Sequence, residues 1–134
     1  MSVRAIRGAT QVGSNSADAI TAGTQELISE ILRSNGITSQ NVISILFTAS
    51  PDLTASFPAA AVRELGFEDT PLICAVEIDV PGALERTIRV MAHVEIERKK
   101  EEITHIYLHG AKAGRRSSSA VSDRCAKPRV VSLK

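Results

Sequence analysis

Apolar positions recur along this chain with two periods, one near 2 and one near 3.6, and the changes of period divide it into elements. Val3 to Ala9 reads as a first strand ending in an Arg7, Gly8, Ala9 turn. Ile20, Thr24, Leu27, Ile28 and Ile31 then fall on one face of a helix. Ser16 is placed to cap that helix, Asp18 suits its electropositive first turn, and Asn35 with Gly36 stops it. Val42 to Ala49 is a run rich in branched residues, a second and well-buried strand closed by Pro51 and Asp52. Pro58 opens a short helix that closes at Gly66, with Ala59 and Arg63 on one face.

Pro71 to Ile78 is a third strand whose phase is open, because Leu72, Cys74, Val76 and Ile78 on one side and Ile73, Ala75, Glu77 and Asp79 on the other both begin apolar. After a turn at Pro81 and Gly82, Ile88, Val90, Ala92, Val94 and Ile96 alternate with Arg89, Met91, His93, Glu95 and Glu97. That is a half-buried strand, and it points Arg89 away from the core, toward a cleft or a partner subunit. Glu97 to Glu102 is a solvated connection, and Ile103 to Leu108 is the last strand, with Tyr107 opposite Ile106 and Leu108. The order strand, helix, strand, short helix, three strands predicts an α+β fold, a mixed sheet with helices on one face.

Composition narrows the class without changing this picture. The 134 residues fit one core, and 43% hydrophobic, 23% charged and 3% aromatic residues describe an ordinary globular protein. No apolar run of about eighteen residues and no export signal are readable, so a cytoplasmic protein without a membrane span is expected. The net charge of +1 conceals an asymmetry: residues 111–134 carry seven Lys or Arg against Asp123 alone, and residues 1–110 carry nine against fourteen acids. With Ser117, Ser118, Ser119 and Pro128, residues 117–134 read as a basic, mobile tail behind a domain of residues 1–116. No aromatic residues interleave with the tail's charges, so it reads as a source of local positive potential and not as a nucleic-acid arm.

The candidate chemistry lies in the arginines. Arg7, Arg63 and Arg89 each sit inside an apolar segment, with Glu77 and Tyr107 as accompanying polar groups. Guanidinium stays charged and binds carboxylates bidentately, so the set predicts a pocket for a small polyanion. Cys74 and Cys125 are too far apart for a paired zinc spacing, and His93, His105 and His109 lack helical metal spacing. Gly8 and Gly13 form no phosphate-binding loop, and no nucleophile elbow is present, so neither metal nor nucleotide cofactor is expected. Each of these residues also has a structural role open to it: Phe57 as packing, Glu77 as the end of a strand, Tyr107 as a core residue.

The segments VRAIRGAT, TASPDLTASFPAAAVRELG, CAVEIDVPGALERTIRVM and IYL resemble the monofunctional chorismate mutases of the trimeric, Bacillus type, over residues 3 to about 116. The resemblance implies a subunit that assembles into a trimeric pseudo-α/β barrel with active sites between neighbours. It also implies conversion of chorismate to prephenate for aromatic amino-acid synthesis, without a cofactor. Carried over, the family's pocket would take Arg7, Glu77, Arg89, Tyr107 and Arg115 from one subunit, and Phe57, Ala59 and Arg63 from the next, with Cys74 beside them. Arg89 would face the breaking ether bond, Arg7 and Tyr107 the side-chain carboxylate, Arg63 and Arg115 the ring carboxylate, and Glu77 and Cys74 the substrate hydroxyl. Ala60 stands where the family often has a lysine, and Gly114 where a larger apolar residue is expected. Two other readings share this architecture: a binding protein without turnover, and an imine deaminase. Arg89 and Glu77, whose loss would mark the first of them, are both present.

Overall fold

The computed structural model describes residues 2–112 and 129–131. Six strands form one sheet: β1 (Val3–Gln11), β2 (Val42–Ala49), β3 (Leu72–Val76), β4 (Thr87–Glu95), β5 (Thr104–Leu108) and β6 (Arg129–Val131). Their spatial order is β3-β2-β4-β1-β5-β6. The β4 strand pairs antiparallel with β1 and β2, while β1 with β5, β2 with β3 and β5 with β6 pair parallel. All strands but β4 therefore run one way, and the parallel neighbours need crossover connections. Helix α1 (Ala17–Asn35) leads from β1 to β2, and helix α2 (Pro58–Val62) leads from β2 to β3.

Both helices pack on one face of the sheet, α1 over β1 and β5 and α2 over β2 and β3. The α1 boundaries follow from its caps. The Ser16 hydroxyl accepts the Ala19 N–H at 3.1 Å, and Gly36 takes the left-handed conformation (φ 61°), which ends the helix. Its apolar stripe of Leu27, Ile28 and Ile31 meets Ile6, Ile106 and Leu108 from the sheet, and α2 adds Ala59 and Val62 against Ile45 and Phe47. Burying each such side chain stabilises by about 1.5–3 kcal/mol relative to leaving it exposed. Among the described residues neither helix covers the sheet's other face. Val3, Leu46 and Ile73 are exposed there beside Ala5, Arg89 and His93.

Two expectations are revised, one open phase is settled, and one strand is added. First, β1 does not turn at Gly8 but pairs with β4 as far as Gln11 opposite Thr87. Gly8 is needed for space: a Cβ there would lie 2.9 Å from Ile31 Cδ1 and 3.1 Å from Leu27 Cδ1, so glycine lets α1 approach the strand. Second, the phase of β3 is settled by Leu72 and Cys74 packing into the core, which turns Ile73 and Ala75 to the open face. Third, Ala59 is buried while Arg63 is exposed, because α2 ends at Val62 and the chain tightens into a 3-10 turn from Arg63 to Leu65. Fourth, Arg129–Val131, within the segment read as an unpacked tail, forms a strand beside β5.

Candidate active site

The open face of the sheet collects the polar residues that the apolar core leaves out. Register places them in two adjacent rows across the strands. One row runs Ala75, Thr48, Arg89, Ala9, Tyr107, and the next runs Ile73, Leu46, Met91, Arg7. Directly opposed residues in neighbouring strands lie within about 5 Å at Cβ, so side chains within a row touch or nearly touch. The small residues Ala75 and Ala9 leave room around the Thr48–Arg89 pair.

Glu77 follows β3 and continues its pairing, since its N–H donates to Ala49 O at 2.9 Å. Its carboxylate turns back over the sheet. There Glu77 Oε2 accepts a hydrogen bond from the Thr48 hydroxyl and lies 3.4 Å from Arg89 Nε. Arg89 is half exposed at the side chain and Glu77 about a third. The contact at Nε leaves the two terminal nitrogens of Arg89, with four N–H donors, for a ligand.

Two hollows of about 220 Å³ each meet at Arg89. Arg7, Leu46, Thr48, Met91 and Tyr107 line the first, and the second lies between Glu77 and the segment 78–85. Tyr107 is 5% exposed and packs on Ala9 and Ala111, which holds its ring at the wall. A larger hollow of about 750 Å³ continues the same face past Arg7 and Met91 toward His93 and His105, whose Nδ1 accepts the Arg7 backbone N–H at 3.0 Å.

The segment 78–86 that borders the site is anchored at its far end. Gly82 has φ 86°, the turn that Pro81 and Gly82 foretold, and the Val80 carbonyl accepts the Ala83 N–H at 3.0 Å. Gln11 Nε2 donates to Glu85 O at 3.0 Å, and Asp52 Oδ2 accepts the Arg86 N–H at 2.9 Å. Burial pushes the Asp52 carboxyl up, but the Ser50 side chain, the backbone N–H groups of Arg86 and Asp52 and the Arg86 charge outweigh it and hold the group below its ordinary range.

Within one chain, then, Arg7, Glu77, Arg89 and Tyr107 share a face, and the other described candidates do not join them. Ala59 is buried on the inner side of α2, Cys74 packs against the same cluster, Phe57 is 73% exposed at the start of α2, and Arg63 is exposed beyond its end. Ala59 and Cys74 thus lie with the core on the helix side of the sheet, opposite the face that carries the first group. Arg115 lies outside the described residues. Among the described residues no three His, Cys, Asp or Glu side chains gather as metal ligands. Thr48, Leu46 and Met91 were not singled out from the sequence. Inside apolar runs they carry no local signal, and only cross-strand register brings them to Arg89 and Arg7.

The family model for chorismate mutase type I matches residues 3–118. The chain belongs to this family. Chorismate mutase AroH of Thermus thermophilus is 41% identical over 110 residues, which cover 81% of this chain and 90% of that protein. Chorismate mutase AroH of Bacillus subtilis is 41% identical over 109 residues, covering 81% of this chain and 86% of that protein. Among solved structures, a chorismate mutase from Clostridium thermocellum superposes with a TM-score of 0.80 at 52% identity, over 81% of this chain and 97% of that one. A chorismate mutase subunit of this type is thus an α+β mixed sheet with its helices on one side, as the element order predicts. No helix among the described residues is long and apolar enough to cross a membrane.

Proposed function

We propose that this chain is a chorismate mutase that rearranges chorismate to prephenate in clefts shared between the subunits of a homotrimer. The observation that carries the reading is the constellation of Arg89, Glu77 and Arg7 on one open face, in a chain of the type I chorismate mutase family. Chorismate carries two carboxylates, a hydroxyl and the ether bond that breaks. Its rearrangement is an intramolecular pericyclic shift, so the protein's task is to hold the compact conformer and to supply fixed charge where the ether oxygen becomes electron-rich.

In this reading the terminal nitrogens of Arg89 meet the ether oxygen and one carboxylate, and Arg7 holds the side-chain carboxylate with help from Tyr107. Glu77 accepts the substrate hydroxyl. Contacts to the carboxylates are shared by ground and transition states and mainly bind, whereas the ether contact strengthens as the bond breaks and so accelerates. The packing of Ala59 and Cys74 on the helix side of the sheet, with Phe57 and Arg63 exposed at the two ends of α2, supports an intersubunit site. These residues reach the open face only when a neighbouring copy brings them. The exposed Leu46 and Ile73 on that face, together with Phe57, Val76 and Ile78, are surfaces such a neighbour would cover.

The test is direct. Purified protein is mixed with chorismate and the loss of its diene absorbance is followed, with prephenate measured as product. The reading expects turnover proportional to protein, from a species with the mass of three chains. Loss no faster than in buffer alone would contradict the assignment.

A further inference from the structure

We infer that Thr48 is a positioning residue of this site, acting through Glu77 on the substrate hydroxyl and on Arg89; the inference rests on the chorismate mutase reading above. A threonine hydroxyl has one proton to give, and here it goes to Glu77 Oε2. The same oxygen faces Arg89 Nε at 3.4 Å. One hydrogen bond and one ion-pair contact thus converge on one carboxylate oxygen, and Oε1 has no hydrogen bond from a described residue. That oxygen is the one turned to accept a proton from outside the chain.

The arrangement matters because Glu77 is poorly held by its own element. It follows the end of β3, and three side-chain torsions separate its carboxylate from the backbone. Thr48 sits inside β2, paired on one side with Ala75 and on the other with Arg89. Its hydroxyl is therefore fixed by two backbone ladders and transfers that order to the carboxylate. With Oε2 occupied at Arg89 Nε, the guanidinium plane is set as well, and its terminal nitrogens stay available to the anion. Valine has the shape of threonine without the donor, whereas serine keeps the donor.

The experiment compares Thr48→Val and Thr48→Ser in the full chain, alone and with Glu77→Ala. Chorismate turnover, melting temperature and the NMR signal of the Arg89 Nε–H are measured for each. Thr48→Val is expected to lower kcat about tenfold, the loss of one hydrogen bond to a charged acceptor, with KM within about twofold and an unchanged melting temperature. Thr48→Ser is expected to restore kcat. In the Glu77→Ala background, Thr48→Val is expected to cost nothing further, because the carboxylate through which its hydroxyl acts is gone. The Arg89 Nε–H proton is expected to exchange slowly in the wild type and in Thr48→Ser, and quickly in Thr48→Val and Glu77→Ala. A wild-type kcat in Thr48→Val, or an equal loss on top of Glu77→Ala, would overturn the inference. The NMR arm separates it from the reading it rests on. If the wild type leaves chorismate intact but Thr48 still governs the Arg89 signal, the positioning stands and the mutase assignment falls. If that signal ignores Thr48, the positioning fails whatever the activity.

Discussion

Arg89 carries the most specific expectation at the scale of single residues. It pairs with Glu77 through Nε, is half exposed, and stands between the two hollows of the open face. Arg89→Ala should leave a folded protein and lower kcat by roughly 10²-fold or more, as removal of a donor aimed at developing negative charge does. Activity assays beside a thermal melt check this, and a near-normal kcat in a folded variant would contradict the role. Its outward direction was legible in the alternation of residues 88 to 97, because a strand with one buried face fixes the direction of each side chain. Thr48 was not legible. Within VISILFTA it is one more branched residue, and its importance lies in partners 29 and 41 positions away that only folding brings together.

Local pattern served well for the elements whose ends carry their own chemistry. The Ser16 cap, the Gly36 stop and the stripe from Ile20 to Ile31 fix α1, and Pro58 fixes the start of α2. It failed where tertiary contact decides. Gly8 resembles a turn residue but is a point of close approach between β1 and α1. Gly8→Ala should therefore lower stability by about 1–3 kcal/mol through overpacking against Ile31 and Leu27, read as a lower denaturant midpoint. An unchanged midpoint would show that α1 can move away freely.

A second expectation at this scale concerns the anchor of segment 78–86. The Asp52 carboxyl is lowered in the folded state, so the charged form contributes stability above the ordinary Asp value and that contribution is lost as pH falls through the lowered one. The stability gap between wild type and Asp52→Ala should be widest near pH 7 and close below about pH 4. A gap independent of pH would mean that Asp52 acts by shape alone.

The described residues form a sheet with one face covered by helices and one face open. Ala59 and Cys74 pack with the core on the helix side of that sheet, away from Arg89 of the same chain. Neither fact is visible in residue order. Arg7, Arg63 and Arg89 each interrupt an apolar segment and so point to one polyanion pocket, but the pattern does not say which side of a sheet, or which copy of the chain, each belongs to. If one site draws on two chains, complementation between inactive variants reveals it. Arg63→Ala and Arg89→Ala chains, each inactive alone, are unfolded, mixed in equal amounts and refolded, and chorismate turnover is compared with the sum of the separate samples. Each mixed trimer then has one interface where an intact Arg63 meets an intact Arg89. Random reassembly in a closed three-fold ring should restore roughly a quarter of wild-type sites. Turnover no greater than the sum, with subunit exchange confirmed by mass, would contradict the shared site.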